Sequence, residues 1–416
     1  MPRMPRDASF DLAPDLLRAP YEFIGDRCRH YGTDLFEGRL LLQRTIFMRG
    51  REAARLFYDQ DRFMRGGAMP EPIRATLLGK GGVQGLDDAA HRHRKQMFMA
   101  LMTPARIAQL GELTAAALRT EVERWARMEQ VVLYDAMQEV LTRAVCAWCE
   151  VPLPEADVAR RSRDLALMFD AAGAVSARHW QSRLARWRGE GWIAELVRQV
   201  RAGHLDPPAQ SPLRAIALHR DLKGALLPRR IVAVELLNLL RPTVAIAVFL
   251  TFIAHALHRH PECRRRLEAG EAGYAEMFVQ EVRRFYPFFP AVAARVRHGF
   301  EWQGYRFPRG RRVILDLYGT NHDPRSWEAP EEFRPERFLE WDGSPFNLIP
   351  QGGGDHDLGH RCAGEWVTIE LMKVVTGFLV RHLAYEVPEQ DLRIDMARLP
   401  ALPRSGFVIS RVRPQA

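Results

Sequence analysis

The sequence predicts a mainly α-helical chain with small β-sheets, and three features carry that expectation. Apolar residues recur at helical spacing over long stretches, notably 103–127, 131–150 and 231–259. Strand-like alternation is concentrated in 33–50 and 290–320. No linker divides the 416 residues, so one unit over 1–416 is expected, with 1–15 as an irregular N-terminus.

Composition narrows the function classes. A hydrophobic content of 47% suffices for a large core. The net charge of +9 is spread along the chain without basic tracts interleaved with aromatics, which argues against nucleic-acid binding. Five cysteines, at 28, 146, 149, 263 and 362, leave one over under any full disulfide scheme and point to a reducing compartment, hence a cytoplasmic protein. Met1 to Asp15 carries no apolar core of a secretory signal. The apolar run Ile231 to Leu257 is broken by Glu235, Asn238, Arg241 and Pro242, so a buried core helix is expected and no transmembrane segment. Cys146-Ala-Trp-Cys149 lies in an apolar helical pattern without a second such pair, which favours packing over metal binding.

Taken in order, Tyr21 to Tyr31 reads as a helix, and Leu35 to Met48 as a strand pair turned near Glu37-Gly38. Glu52 to Tyr58 is helical. The loop Gly79 to Gly85 is glycine-rich but matches neither phosphate-binding pattern. A helix then opens at Asp87-Asp88 and brings His91 and Lys95, four apart, onto one face. That face is either solvated or holds an anionic group of a cofactor. Helices over Thr103 to Arg127 and Val131 to Glu150 end at Val151-Pro-Leu-Pro154. From Gln181 to Arg201 a basic amphipathic helix with Trp180, Trp187 and Trp192 beside it reads as a pocket cover or a solvated face rather than a membrane-surface helix.

The longest helical pattern, Ile231 to Arg259, holds the first chemical signal. Burying the Arg241 guanidinium costs several kcal/mol, on the order of 3–5, unless an anion answers it. Pro242 removes the donor that Asn238 would use, and an interior proline costs about 3 kcal/mol. Two unfavourable choices side by side suggest a site. The alternative is an internal ion pair of Arg241 with Glu235. Further on, Glu281 and Arg284 are three apart on a helix and can pair. Alternation over Ala293 to Leu317 turns at Gln303-Gly304 and at Pro308-Arg-Gly310. The stretch Gln351-Gly-Gly-Gly-Asp-His-Asp-Leu-Gly-His-Arg-Cys362 then leads into a helix. A lone cysteine at a helix mouth behind glycines suits a sulfur held against a flat ligand, with the helix N-terminus favouring the thiolate.

Glu281-x-x-Arg284, then Phe-Arg-Pro-Glu-Arg337-Phe, then a glycine-led cysteine before a helix, together resemble the cytochrome P-450 superfamily, and within it the bacterial fatty-acid peroxygenases. The resemblance runs from about Ala19 to Arg411. Most of the superfamily has an acid-alcohol pair in the central helix where this chain has Arg241-Pro242, with Thr243 offset by one residue. The cysteine loop is longer than usual and has Asp355 where phenylalanine is common. Both departures are similar to the peroxygenase branch, as are the stretches around Gln84, His91 and Asp316-Leu-Tyr-Gly-Thr-Asn-His-Asp323.

The resemblance implies haem b between the central helix and the cysteine loop, with Cys362 as axial iron ligand. It implies Arg65, His91 and Lys95 at the haem propionates with His360 or Arg361, and Glu281, Arg284 and Arg337 as a structural triad. By the same resemblance Arg241 would hold a fatty-acid carboxylate and Pro242 would shape the distal pocket, while Leu78, Gln84, Ala245 and Phe288 would line the channel. The implied reaction is hydrogen-peroxide-dependent hydroxylation of long-chain fatty acids at Cα, or less readily Cβ, without an obligatory redox partner. The rival readings are a dioxygen-using monooxygenase fed by a reductase, and a non-catalytic haem or zinc sensor using Asp355, His356, His360 and Cys362.

Overall fold

The computed structural model describes residues 3–171, 173 and 177–415. Helices dominate, and their largest apolar cluster gathers around two consecutive helices, Arg229–Ala245 and Ala247–Arg259. Together these form one stretch apolar and long enough to cross a membrane, with 94% of its most apolar window buried inside the protein. The sequence reads it as unbroken; the structure tightens it at Ile246, whose N–H donates to the Thr243 carbonyl at 3.1 Å. That is a tighter turn, placed four residues after the donor lost at Pro242.

Packed on this core are Pro104–Trp125, Leu133–Cys149, Val158–Asp170, Ala177–Arg201, Tyr274–Phe285 and Glu365–Arg381. The predicted helix boundaries hold where a cap fixes them: at the start of Pro104–Trp125 the Thr103 hydroxyl accepts the Arg106 N–H, and at the end of Leu133–Cys149 Glu150 takes the left-handed conformation. Cys28, Cys146, Cys149 and Cys263 are all free and buried.

The main sheet has five strands in the order Leu35–Leu40, Gln43–Met48, Arg312–Asp316, Ala291–Val296 and Phe63–Met64, with one parallel pairing between the second and third. A three-stranded sheet joins Gln130–Val132, Val408–Pro414 and Leu383–Glu386. The hairpin Phe300–Trp302 with Tyr305–Phe307 turns at Gln303-Gly304, as its sequence predicts, and both turn residues have positive φ. Of the N-terminus expected to be irregular over 1–15, residues 1 and 2 lie outside the described residues, 3–12 are irregular yet tied to the sheet edge, with Asp7 N–H donating to the Glu37 carbonyl at 2.9 Å and Leu12 N–H to that of Arg39 at 2.8 Å, and a helix already begins at Ala13.

The first strand pair turns in a different place from the one the glycine suggests. The turn is at Leu41-Leu42, both at positive φ, and not at Glu37-Gly38, which is mid-strand opposite Ile46 and Thr45. The Asp11 carboxylate explains it, accepting the N–H groups of Leu41 at 3.1 Å and Leu42 at 2.5 Å. Gly38 answers a packing demand instead, since a Cβ there would sit 2.2 Å from Leu12 Cδ1. Gly38→Ala is therefore expected to lower stability by about 1–3 kcal/mol, read as a reduced urea midpoint; an unchanged midpoint would show that Leu12 can move aside.

Candidate active site

The Cys362 sulfur lies just ahead of the helix Glu365–Arg381. The Gly364 N–H is directed at it, and Gln351 Nε2 approaches it at 3.8 Å while donating to Thr368 Oγ1 at 2.9 Å. Burial outweighs these donors and, with Glu365 nearby, pushes the thiol above its ordinary value, so the expected stabilisation by the helix end does not prevail in the free thiol. Gly352 and Gly354 adopt positive φ. Added Cβ atoms at Gly352, Gly353 and Gly354 would come within 2.9 Å of the Tyr58 ring hydroxyl, the Pro345 carbonyl and Tyr58 Cβ respectively. The three glycines thus let the loop run flush against Tyr58. The extra loop length is taken up by a turn on Asp355, whose carboxylate accepts the N–H of Asp357 at 2.9 Å and of Leu358 at 2.7 Å.

Cations gather beside the loop. His91 and His360 stack with ring centroids 3.8 Å apart, and Lys95 Nζ donates to the Gly359 carbonyl at 3.2 Å and to that of Arg361 at 2.5 Å. His91 and Lys95 are buried, so their shared face is not a solvated one. Burial holds Lys95, Arg65 and both histidines below their ordinary values, His91 at about 4. The nearby Asp87 carboxylate is engaged by the backbone N–H groups of Arg65 and Gly66, at 2.7 and 2.8 Å. His91 Nδ1 is buried without a hydrogen-bond partner among the described residues. Arg361 stands apart from this group: its guanidinium turns to Glu365 at 2.5 Å, a carboxylate that also pairs with Arg283. His356 bonds to Asp357 and His360 stacks on His91, so the four residues of the zinc-sensor reading do not converge.

Across the central helix, Arg241 is 5% exposed, and its strongest recorded contact is a long one, 3.5 Å, to Asn238 Oδ1. Its Nε has no partner among the described residues. Burial, with Arg186 adding like charge, lowers it to about 9. Glu235, the internal partner considered from the sequence, pairs with Arg94 at 2.5 Å and accepts from Asn238 Nδ2 at 3.0 Å. Asn238 also donates to Gln84 Oε1 at 3.1 Å, which brings Gln84 to this end of the site. The Thr243 hydroxyl donates back to the Leu239 carbonyl at 2.9 Å. Ala245 lies one turn beyond Arg241 and is buried, whereas Leu78 and Phe288 are half-buried, Phe288 tilted against Phe249 at 4.3 Å.

The third group is closed on itself. Glu281, fully buried, takes Arg284 at 2.6 Å, Arg337 at 3.1 Å and the Arg334 N–H at 2.8 Å. Arg284 also donates to the Asn321 carbonyl at 3.2 Å, while Asn321 Oδ1 accepts the Ile349 N–H at 2.8 Å, linking the triad to the cysteine loop.

A family model described as cytochrome P450 matches residues 268–410. A variant of cytochrome P450SP alpha superposes with a TM-score of 0.96 at 53% identity, covering 98% of this chain and 100% of that one. The chain belongs to the cytochrome P450 family. Cytochrome P450EX alpha with myristic acid gives a TM-score of 0.96 at 46% identity, over 99% of both chains, and a variant of cytochrome P450 OleT with arachidonic acid gives 0.96 at 36%, also over 99% of both. Among curated proteins, cytochrome P450 71A8 of Mentha piperita is 30% identical over 40% of this chain, and cytochrome P450 3A11 of Mus musculus 29% over 40%. The chain spans only 36% of the length of each.

The family's haem fits the P450 residues here: one sulfur with N–H donors aimed at it, a flush glycine loop, and buried cations with an orphaned histidine nitrogen at its edge. Sequence reasoning missed Gln351, Asn238, Arg94 and Arg186 as parts of the site. Glu281→Gln is expected to leave two buried guanidinium groups without their anion and to lower stability by about 3–5 kcal/mol, measured by denaturant unfolding. A change below about 1 kcal/mol would show that the surrounding carbonyls suffice.

Proposed function

We propose that this P450 is a peroxygenase that hydroxylates long-chain fatty acids at Cα with hydrogen peroxide, and that Arg241 holds the substrate carboxylate. The observation that carries this reading is a buried guanidinium with no carboxylate partner among the described residues, on the central helix of a haem-thiolate protein. The relative with myristic acid and the one with arachidonic acid support the substrate class.

Cys362 would hold the iron, and Arg65, His91, Lys95 and His360 would meet the propionates. A thiolate-ligated haem iron, when bound, supplies cleavage of a peroxide O–O bond and delivery of one oxygen to a C–H bond. The chain's own part is positioning. Two N–H groups of Arg241 can take both carboxylate oxygens, fixing the headgroup and its first carbons. Asn238, tied to Gln84 and Glu235, fixes the direction from which Arg241 is approached. The Thr243 hydroxyl is held by its own helix, so the clamped substrate carboxylate is the group that accepts a peroxide proton and returns it to the departing oxygen. The balance is one fatty acid and one peroxide to one hydroxy acid and one water. Pro242 shapes the pocket beside this clamp, and Leu78, Gln84, Ala245 and Phe288 line the channel, favouring Cα over Cβ. Because hydrogen peroxide is already two electrons more reduced than dioxygen, no obligatory redox partner is needed.

Arg241→Leu is expected to keep the thiolate-haem absorption spectrum while peroxide-driven hydroxylation of myristate falls by about 100-fold or more. Full activity in that variant would overturn the carboxylate role. Turnover of the unmodified protein with NADPH and a reductase, and none with peroxide, would instead establish the monooxygenase reading.

A further inference from the structure

A second cationic site lies apart from Arg241, in a cavity of about 180 Å³ bordered by the Ala177–Arg201 helix, the turn Arg74–Leu78 and the start of the central helix. Its innermost group is Arg186. That side chain is 3% exposed, donates from Nε to Glu190 at 2.7 Å, and makes a long contact of 3.5 Å from Nη1 to the Leu77 carbonyl. Its Nη2 is buried and has no partner among the described residues.

The Gly79 backbone packs close beside that nitrogen. A Cβ on Gly79 would lie 1.9 Å from Arg186 Nη2 and 2.7 Å from Val234, so only glycine leaves the space. Lys80, Arg183 and Arg230 also border the cavity, as does Trp187, which is 72% exposed. Two carboxylates reduce this charge without cancelling it. Glu190 takes Arg186, and Glu71 takes Lys80 at 3.3 Å and Arg183 at 3.7 Å, leaving four cations to two anions. Val234 and Ala75 add apolar wall. Arg186 also acts on Arg241, lowering its proton affinity by like charge, so the two guanidinium groups share one field.

We propose that this cavity is a carboxylate capture site, where Arg186, with Lys80, Arg183 and Arg230 at the rim, takes the headgroup of a long-chain fatty acid before it passes to Arg241. The inference rests on the fatty-acid reading above. The free Nη2 and the rim cations receive the carboxylate while Trp187 and Val234 offer the alkyl chain an apolar surface. Passage to Arg241 then exchanges one guanidinium partner for another, so the headgroup does not cross apolar core unpaired.

The test uses the haem-loaded full chain and sodium myristate below its aggregation range, with binding followed by stopped-flow absorbance at several salt concentrations. Two variants are compared with the unmodified protein: Arg186→Gln, and a rim variant combining Lys80→Gln, Arg183→Gln and Arg230→Gln, which keeps the Arg186–Glu190 pair. The association rate constant is expected to fall roughly tenfold in either, with a flatter salt dependence, while dissociation is unchanged. Equilibrium dialysis of labelled myristate against Arg241→Leu is expected to retain binding that Arg241→Leu with Arg186→Gln loses. Unchanged association and salt dependence in the rim variant overturns the proposal, as does dialysis binding indifferent to Arg186. If Arg186→Gln does not fold, the rim variant decides alone. Absence of peroxide-driven myristate turnover in the unmodified protein is a separate result, which overturns the fatty-acid function itself.

Discussion

Arg241 keeps a positive charge in the middle of the most apolar helix, and the chain withholds every carboxylate that could neutralise it among the described residues. Glu235, six residues earlier, is within the same helix but pairs with Arg94. Asn238 then bridges the two systems, giving its N–H groups to Gln84 and Glu235 and its oxygen to the Arg241 side. Thr243 bonds to its own helix. Each of these local choices is unremarkable singly; together they leave one charge open to an incoming anion.

The remaining buried charges follow the opposite rule. Glu281 is saturated by two guanidinium groups and a backbone N–H, and Glu365 by Arg283 and Arg361. Glu281 reaches the cysteine loop through Arg284 and Asn321, and Glu365 stands three residues beyond Cys362. Breaking such a pair strands a charge in low dielectric, so these groups fix geometry rather than receive ligands. A closed ion pair such as Glu281 with Arg284 and Arg337 marks scaffold, whereas the open cation Arg241 marks a binding site.

Much of this was legible in the sequence because it rests on spacing. Glu281 and Arg284 lie three apart on a helix, the Gln303-Gly304 turn carries its own residue signature, and Arg241-Pro242 is anomalous wherever it is buried. What escaped depends on partners distant in sequence. Gly38 reads as a turn because nothing local reveals that Leu12 packs over it, and the actual turn is set by Asp11, thirty residues away from Leu41. Arg186 is one of several arginines on a basic helix, and only the neighbouring Gly79 and Glu190 show that it points inward. His360 and Arg361 are adjacent, and the side each takes is decided by His91 and Glu365.

The four cysteines away from the haem site take on a meaning from the proposed oxidant. Burial pushes the Cys28 and Cys146 thiols up to about 12 and Cys263 to about 11, and Cys149 is also raised well above its ordinary value. Peroxide attacks thiolates, and attacks them where solvent can carry it. Under the proposed function the co-substrate is itself a reagent able to inactivate a protein, and these buried thiols are held toward their protonated form. The burial that packs the core is also what would shield its sulfur from that oxidant.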